Sequence, residues 1–166
     1  PAARDYTLVI NPTNTLRLVN DHMLEDLVLA RPVWSCNRQE AMTLAERLGA
    51  PIDDSKVTIG GGLDDFMHQL CDGLGATLRA PLVVRVGARG AWIREPGGER
   101  YPTKAVHTRS AGGCHTGVMC AMLAKGHSLA ESVKIANAAA SIAIQHSLNG
   151  VPQCPDYDEA IALIGE

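Results

Sequence analysis

Apolar positions along the chain follow two rhythms. Short β-prone runs alternate with longer stretches in which apolar residues recur every three or four positions. Tyr6-Thr-Leu-Val-Ile10 reads as a buried strand ended by Asn11-Pro12. Asn20-Asp21 predicts the cap of a helix with Met23, Leu24, Leu27 and Val28 on one side, stopped by Pro32. Val33-Trp-Ser-Cys36 is a second short strand. Arg38 to Leu48 predicts a helix with Ala41, Leu44, Ala45 and Leu48 aligned and Gly49 closing it. Residues 49–62 read as a loop. Leu63 to Leu74 is a further amphipathic helix, with Asp64 and Asp65 in the first turn, where the helix dipole favours them.

Pro81-Leu-Val-Val-Arg-Val86 is the clearest strand. It runs into the tight turn Gly87-Ala-Arg-Gly90 and then Ala91-Trp-Ile-Arg94. Glu95-Pro-Gly-Gly98 is another turn signal, and Arg100 to Thr108 is again extended, so a hairpin is expected near 84–108. After it come three helical stretches: Thr116 to Lys125, Leu129 to His146 and Tyr157 to Ile164. Strands alternating with helices predict an α/β fold with a mostly parallel sheet flanked by helices. No linker or repeat interrupts the pattern, so residues 1–166 are expected to form a single α/β domain.

Composition narrows the class. Apolar residues make up 46% and charged residues 20%, as in soluble globular chains. No apolar stretch reaches the ~20 residues of a membrane span, so no membrane partner is expected. The net charge of −3 provides no general footprint for nucleic acid, and aromatic residues at 4% are too few for a base-stacking platform. The five cysteines, Cys36, Cys71, Cys114, Cys120 and Cys154, are odd in number and include no CxxC pair. They read as reduced thiols of a cytoplasmic protein. His22, His68, His127 and His146 read as structural or solvated, and Met119 and Met122 as core.

Chemistry in an open α/β sheet gathers at the carboxyl ends of strands, beside helix N-termini. One Gly-rich junction of that kind occurs: Arg109-Ser-Ala-Gly-Gly-Cys-His-Thr-Gly117. Its glycines let a ligand approach the backbone, and the free N–H groups of the following helix suit an anion. Cys114 beside His115 also raises a cysteine hydrolase, but the G-x-C-x-G elbow fails because Thr116 stands at the second glycine. Metal binding by Cys114, His115 and Cys120 lacks any standard ligand spacing.

The chain resembles the C-terminal, nucleotide-binding part of a ribokinase-like (PfkB) carbohydrate kinase. That family has a D-T-x-G-A-G-D motif ahead of an apolar helix, where this chain has Arg109 to His115. Asn37-Arg-Gln-Glu-Ala41 matches the family's N-x-x-E-A segment, and Val84 to Ala91 its strand and G-x-x-G turn. Ala136-Asn-Ala-Ala-Ala140 matches the helix flanking its adenine pocket. The strand ending at Asn11-Pro12 and the Pro152 segment also fit. The resemblance implies phosphoryl transfer from ATP, with Mg2+, to an alcohol group of a sugar or nucleoside. It implies that Gly112, Gly113 and Cys114 form an anion hole and that His115 stands at the catalytic Asp position. It further implies that Gly87, Arg89, Gly90 and Asn137 lie along the nucleotide and that Asn37 and Glu40 hold magnesium indirectly.

Three residues depart from the family pattern. His115 replaces the proton-accepting Asp, and Cys114 replaces a glycine. Arg109 replaces the leading Asp, which counts against a monovalent cation site. The alternative expectation is therefore a catalytically weakened or regulatory nucleotide-binding relative without turnover. Family members are longer, so the resemblance implies that the N-terminal half and lid are absent, or that a second chain supplies them. A homodimer is a separate expectation.

Overall fold

The computed structural model describes residues 6–52, 62–97, 100–103, 112–148 and 151–165. Asp53 and Asp54, within the expected 49–62 loop, together with His107, Arg109, Ser110 and Ala111, lie outside them.

Five strands form one open sheet in the order β1-β2-β3-β4-β5. They are β1 (Val9–Ile10), β2 (Val33–Asn37), β3 (Leu82–Arg85), β4 (Ala91–Arg94) and β5 (Arg100–Thr103). β1 and β2 run parallel, with Val9 opposite Val33 and Ile10 opposite Trp34. The β1–β3 side is built by helical crossovers. β3 and β4 are joined only by the Val86–Gly90 turn, which is too short for a crossover and makes them a hairpin. The turn closes with the Val86 N–H donating to the Gly90 carbonyl at 2.7 Å. Gly87 and Gly90 take φ of 56° and 89° there, which a side chain would resist. This is the α/β architecture expected from the pattern, with the hairpin in its expected place and residues 104–108 outside the described segments.

Each chain region belongs to one of two compact units. The first, residues 1–84 and 92–100, contains α1 (Asp21–Leu29), α2 (Arg38–Leu48) and α3 (Gly62–Leu78). Its core is Trp34, Leu24, Leu44, Met67, Leu70, Leu74, Leu82 and Ile93, all nearly inaccessible. Asn20 caps α1 by accepting from the Met23 N–H, and Gly49 ends α2 in the left-handed region. Both signals were readable in the sequence. α3 runs four residues beyond the expected Leu74. Gly73 and Gly75 look like helix breakers in sequence. In the structure they are points of close approach: a Cβ at Gly73 would fall on the Pro51 carbonyl oxygen, and one at Gly75 on the Arg94 side chain. A 3-10 helix at Thr13–Leu18, held by Thr15 Oγ1 donating to the Pro12 carbonyl at 2.7 Å, was not signalled by periodicity.

The second unit, residues 85–91 and 101–166, contains α4 (Gly112–Ala124), α5 (Leu129–Gln145) and α6 (Tyr157–Gly165). α5 carries a Ser128/Glu131 capping box and is buried around most of its surface by Val133, Ile135, Ala136, Ala139, Ala140 and Ala143. Its alanines allow α4 and α6 to pack closely on it. Met119 and Met122 point into this core, as expected. A small hairpin, β6 (Ser147–Leu148) with β7 (Val151–Pro152), precedes α6 and was not anticipated.

Candidate functional site

α4 begins at Gly112, four residues before the expected Thr116. Gly112, Gly113, Cys114 and His115 therefore make up the first turn of a helix and not a loop ahead of one. Within the second unit, the Arg85 guanidinium lies against this turn. It donates to Thr116 Oγ1 at 2.7 Å and to the Gly112 carbonyl at 3.3 Å. A cation thus stands beside the first-turn N–H groups of α4, which have no acceptor within the helix itself, and both favour an anion. Gly113 is exposed, and a Cβ built there would meet nothing within 4 Å.

His115 takes no part in that open surface. It is 2% exposed, and its Nε2 lies 3.0 Å from Asn137 Oδ1 on α5. With that oxygen accepting, Nε2 carries the proton. Nδ1 holds the lone pair and has no hydrogen-bond partner. Burial, with the Arg85 charge adding to it, pushes the His115 pKa down to about 4; the bond to Asn137 acts the other way. The imidazole is therefore neutral at physiological pH, but it is committed to helix packing. Asn137, expected along the nucleotide, is 3% exposed and is the residue that holds His115.

Cys114 is half-buried, with its Sγ 2.9 Å from that of exposed Cys154. Burial, and then the neighbouring thiol, push its pKa up to about 12, so Cys114 is held as the protonated thiol at neutral pH. A cysteine hydrolase is therefore untenable here, because His115 is also turned onto Asn137. Gly87 and Arg89 form a single 3-10 turn closed by Gly90 in the same unit as α4.

Asn37 and Glu40 sit in the first unit at the start of α2. Asn37 Oδ1 accepts from the Glu40 N–H at 2.8 Å, and Glu40 Oε2 accepts from the Asn37 N–H at 2.7 Å. Asn37 Nδ2 also donates to Glu40 Oε1 at 2.7 Å. The pair is a complete capping box, so each side chain already has a structural duty. It borders a cleft of about 300 Å3 that Thr13, Asn14 and Arg17 also line. Among the described residues no group of three or more His, Cys, Asp or Glu side chains could hold a metal ion. No helix there is long and apolar enough to cross a membrane.

Arg85, Thr116 and Cys154 were missed in the sequence. Arg85 had one readable signal: a charged residue ending the apolar run Leu82-Val-Val, at the carboxyl end of a strand.

Known proteins are similar to this chain in sequence and in fold. The model of the pfkB family carbohydrate kinase matches residues 20–154. An uncharacterized sugar kinase of Escherichia coli K12, YegV, is 33% identical over 132 residues, covering 77% of this chain and 37% of that protein. A nucleoside kinase of Methanocaldococcus jannaschii, a member of the ribokinase family, superposes with a TM-score of 0.72 at 15% identity, over 99% of this chain and 50% of that one. A ribokinase of Cryptococcus neoformans in complex with ADP gives a TM-score of 0.69 at 19% identity, over 95% of this chain and 52% of that one. These structures share the ribokinase fold, and the chain spans half or less of the length of most such relatives. The family model covers residues 20–154, most of the chain, and the E. coli relative is 33% identical over 77% of it, so the chain belongs to the pfkB family of carbohydrate kinases.

Proposed function

We propose that this chain supplies the nucleotide-binding part of an ATP-dependent kinase acting on an alcohol group of a sugar or nucleoside. Family membership supports the reaction class. The observation that carries the reading is the start of α4, where Arg85 stands beside Gly112 and Thr116 and the backbone at Gly113 is open. Phosphate oxygens fit such a site, because backbone N–H groups and a guanidinium both donate to them. Gly87, Arg89 and Gly90 are our candidates for backbone passing beside the nucleotide. Asn137 acts on this site through His115. Magnesium would be carried mainly by the nucleotide's phosphates and its own waters, as this ion prefers. Asn37 and Glu40, already bonded to each other, are left as outer-shell contacts.

A second reading, a nucleotide-binding relative with weakened turnover, is favoured by the burial of His115. A base must reach the attacking hydroxyl, and this imidazole faces α5. Shifting the family motif two residues earlier matches better. His107-Thr-Arg-Ser-Ala-Gly-Gly113 then agrees with D-T-x-G-A-G-D at Thr108, Ala111 and Gly112 and puts exposed Gly113 at the closing Asp. On this reading the base is missing, and an open position marks its place.

Three variants test these readings. Arg85→Ala, with its helical content unchanged, should abolish the thermal stabilisation that Mg-ATP confers. If the stabilisation persists, the anion site lies elsewhere. Gly113→Asp should raise phosphoryl transfer to a sugar and nucleoside panel by on the order of a hundredfold, the usual worth of a positioned base. Efficient transfer by the unaltered chain that is lost in His115→Gln would sink the weakened reading.

A further inference from the structure

Two thiols that are far apart in sequence meet at the start of α4. The Cys114 and Cys154 sulfurs are 2.9 Å apart, closer than unbonded sulfurs ordinarily rest. Cys154 is exposed, so a small oxidant reaches it directly. Cys114 is held against it from the other side, where it packs on the Met122, Ile135 and Ala160 cluster. Cys36 and Cys71 are buried in the other unit, and Cys120 lies on a different side of α4 from Cys114.

We propose that Cys114 and Cys154 are a reversible redox couple that a peroxide closes into an intrachain disulfide. The exposed Cys154 sulfur gives up its proton to the departing oxygen as it attacks the other peroxide oxygen. An S–O bond forms, the O–O bond breaks and water leaves, so Cys154 becomes a sulfenic acid. The Cys114 sulfur then displaces the hydroxyl group from Cys154. An S–S bond forms, the S–O bond breaks, and the Cys114 proton leaves with the hydroxyl as water. The two thiols are oxidised by two electrons, and the peroxide is reduced to two molecules of water. A dithiol reductant reverses the bond by exchange. The high proton affinity of Cys114 slows a free thiol, but contact in the native fold replaces the search that such a thiol would otherwise need. The bond ties the first turn of α4 to the segment leading into α6. The couple stands whether or not α4 binds a nucleotide.

The test uses the reduced chain, treated with a small excess of hydrogen peroxide, quenched with an alkylating reagent, digested and weighed. The expected result is loss of two of the five thiols and a single cross-linked peptide pair containing Cys114 and Cys154. Dithiothreitol should restore both thiols, and the oxidised chain should melt higher than the reduced one. Cys114→Ser should leave Cys154 as a sulfenic acid trapped by dimedone. Cys154→Ser should leave Cys114 unreacted. Over-oxidation of Cys154 to sulfinic acid in the unaltered chain without a bridge would overturn the proposal. So would a bridge from Cys154 to Cys120 or to a second chain.

Discussion

His115 shows how burial decides what a side chain can do. In water an imidazole takes up a proton near 6.5, and beside a phosphate it would hold that proton more tightly. Here it is enclosed, faces Asn137 and stands near the Arg85 charge, so its folded pKa falls to about 4. The unfolded chain then binds a proton between about pH 6.5 and pH 4 that the folded chain refuses. Stability is complete above the unfolded value, falls as pH drops below it, and levels off below the folded value. Between pH 7 and pH 5 the loss is about 2 kcal/mol. Urea unfolding at the two pH values should show it. His115→Gln, which keeps a donor for Asn137 but does not titrate, should flatten the dependence. An unchanged pH dependence in that variant would mean that another group titrates.

At the scale of the element, the same residue type plays opposite parts in two helices. A glycine inside a helix ordinarily costs about 1 kcal/mol relative to alanine. At Gly113 nothing occupies the space a Cβ would take, so Gly113→Ala should be neutral or stabilising within that amount. At Gly73 a Cβ falls on the Pro51 carbonyl oxygen, so Gly73→Ala should cost about 1–3 kcal/mol despite its better propensity. Comparing the two variants by denaturant midpoint checks both. A stabilised Gly73→Ala would show that the Pro51 segment gives way. This contrast also explains which elements were readable. The caps at Asn20 and Gly49 are local and are read directly from the sequence, whereas the capping boxes at Asn37 and Ser128 emerge only in the structure. The true length of α3 depends on what lies across from its glycines, which local pattern does not contain. The early start of α4 was hidden in the same way, because a Gly-Gly pair reads as loop until the partner surface is known.

For the whole molecule, the proposed ligand would act on global stability. A nucleotide that binds only the folded chain adds about 2.7 kcal/mol at a hundred times its dissociation constant. For a chain of this size that is a rise of roughly 5–10 °C in melting temperature. ATP and ADP should both produce it. The absence of a shift with either, at millimolar concentration, would count against nucleotide binding. The chain spans 37% of its curated E. coli relative and about half of its structural neighbours.

Local pattern along this chain was enough for the alternation of strand and helix, the Gly87–Gly90 hairpin turn and the family resemblance. Each of these rests on residues close together in sequence, where periodicity, caps and turn chemistry act directly. Tertiary structure decided which partners the motif residues meet. His115 turns to Asn137, Cys114 to Cys154 and Arg85 to Thr116, and each partner is remote in sequence. Where a side chain points around a helix depends on the residue at which that helix starts and on what packs across from it. Both are settled only when the distant segments meet.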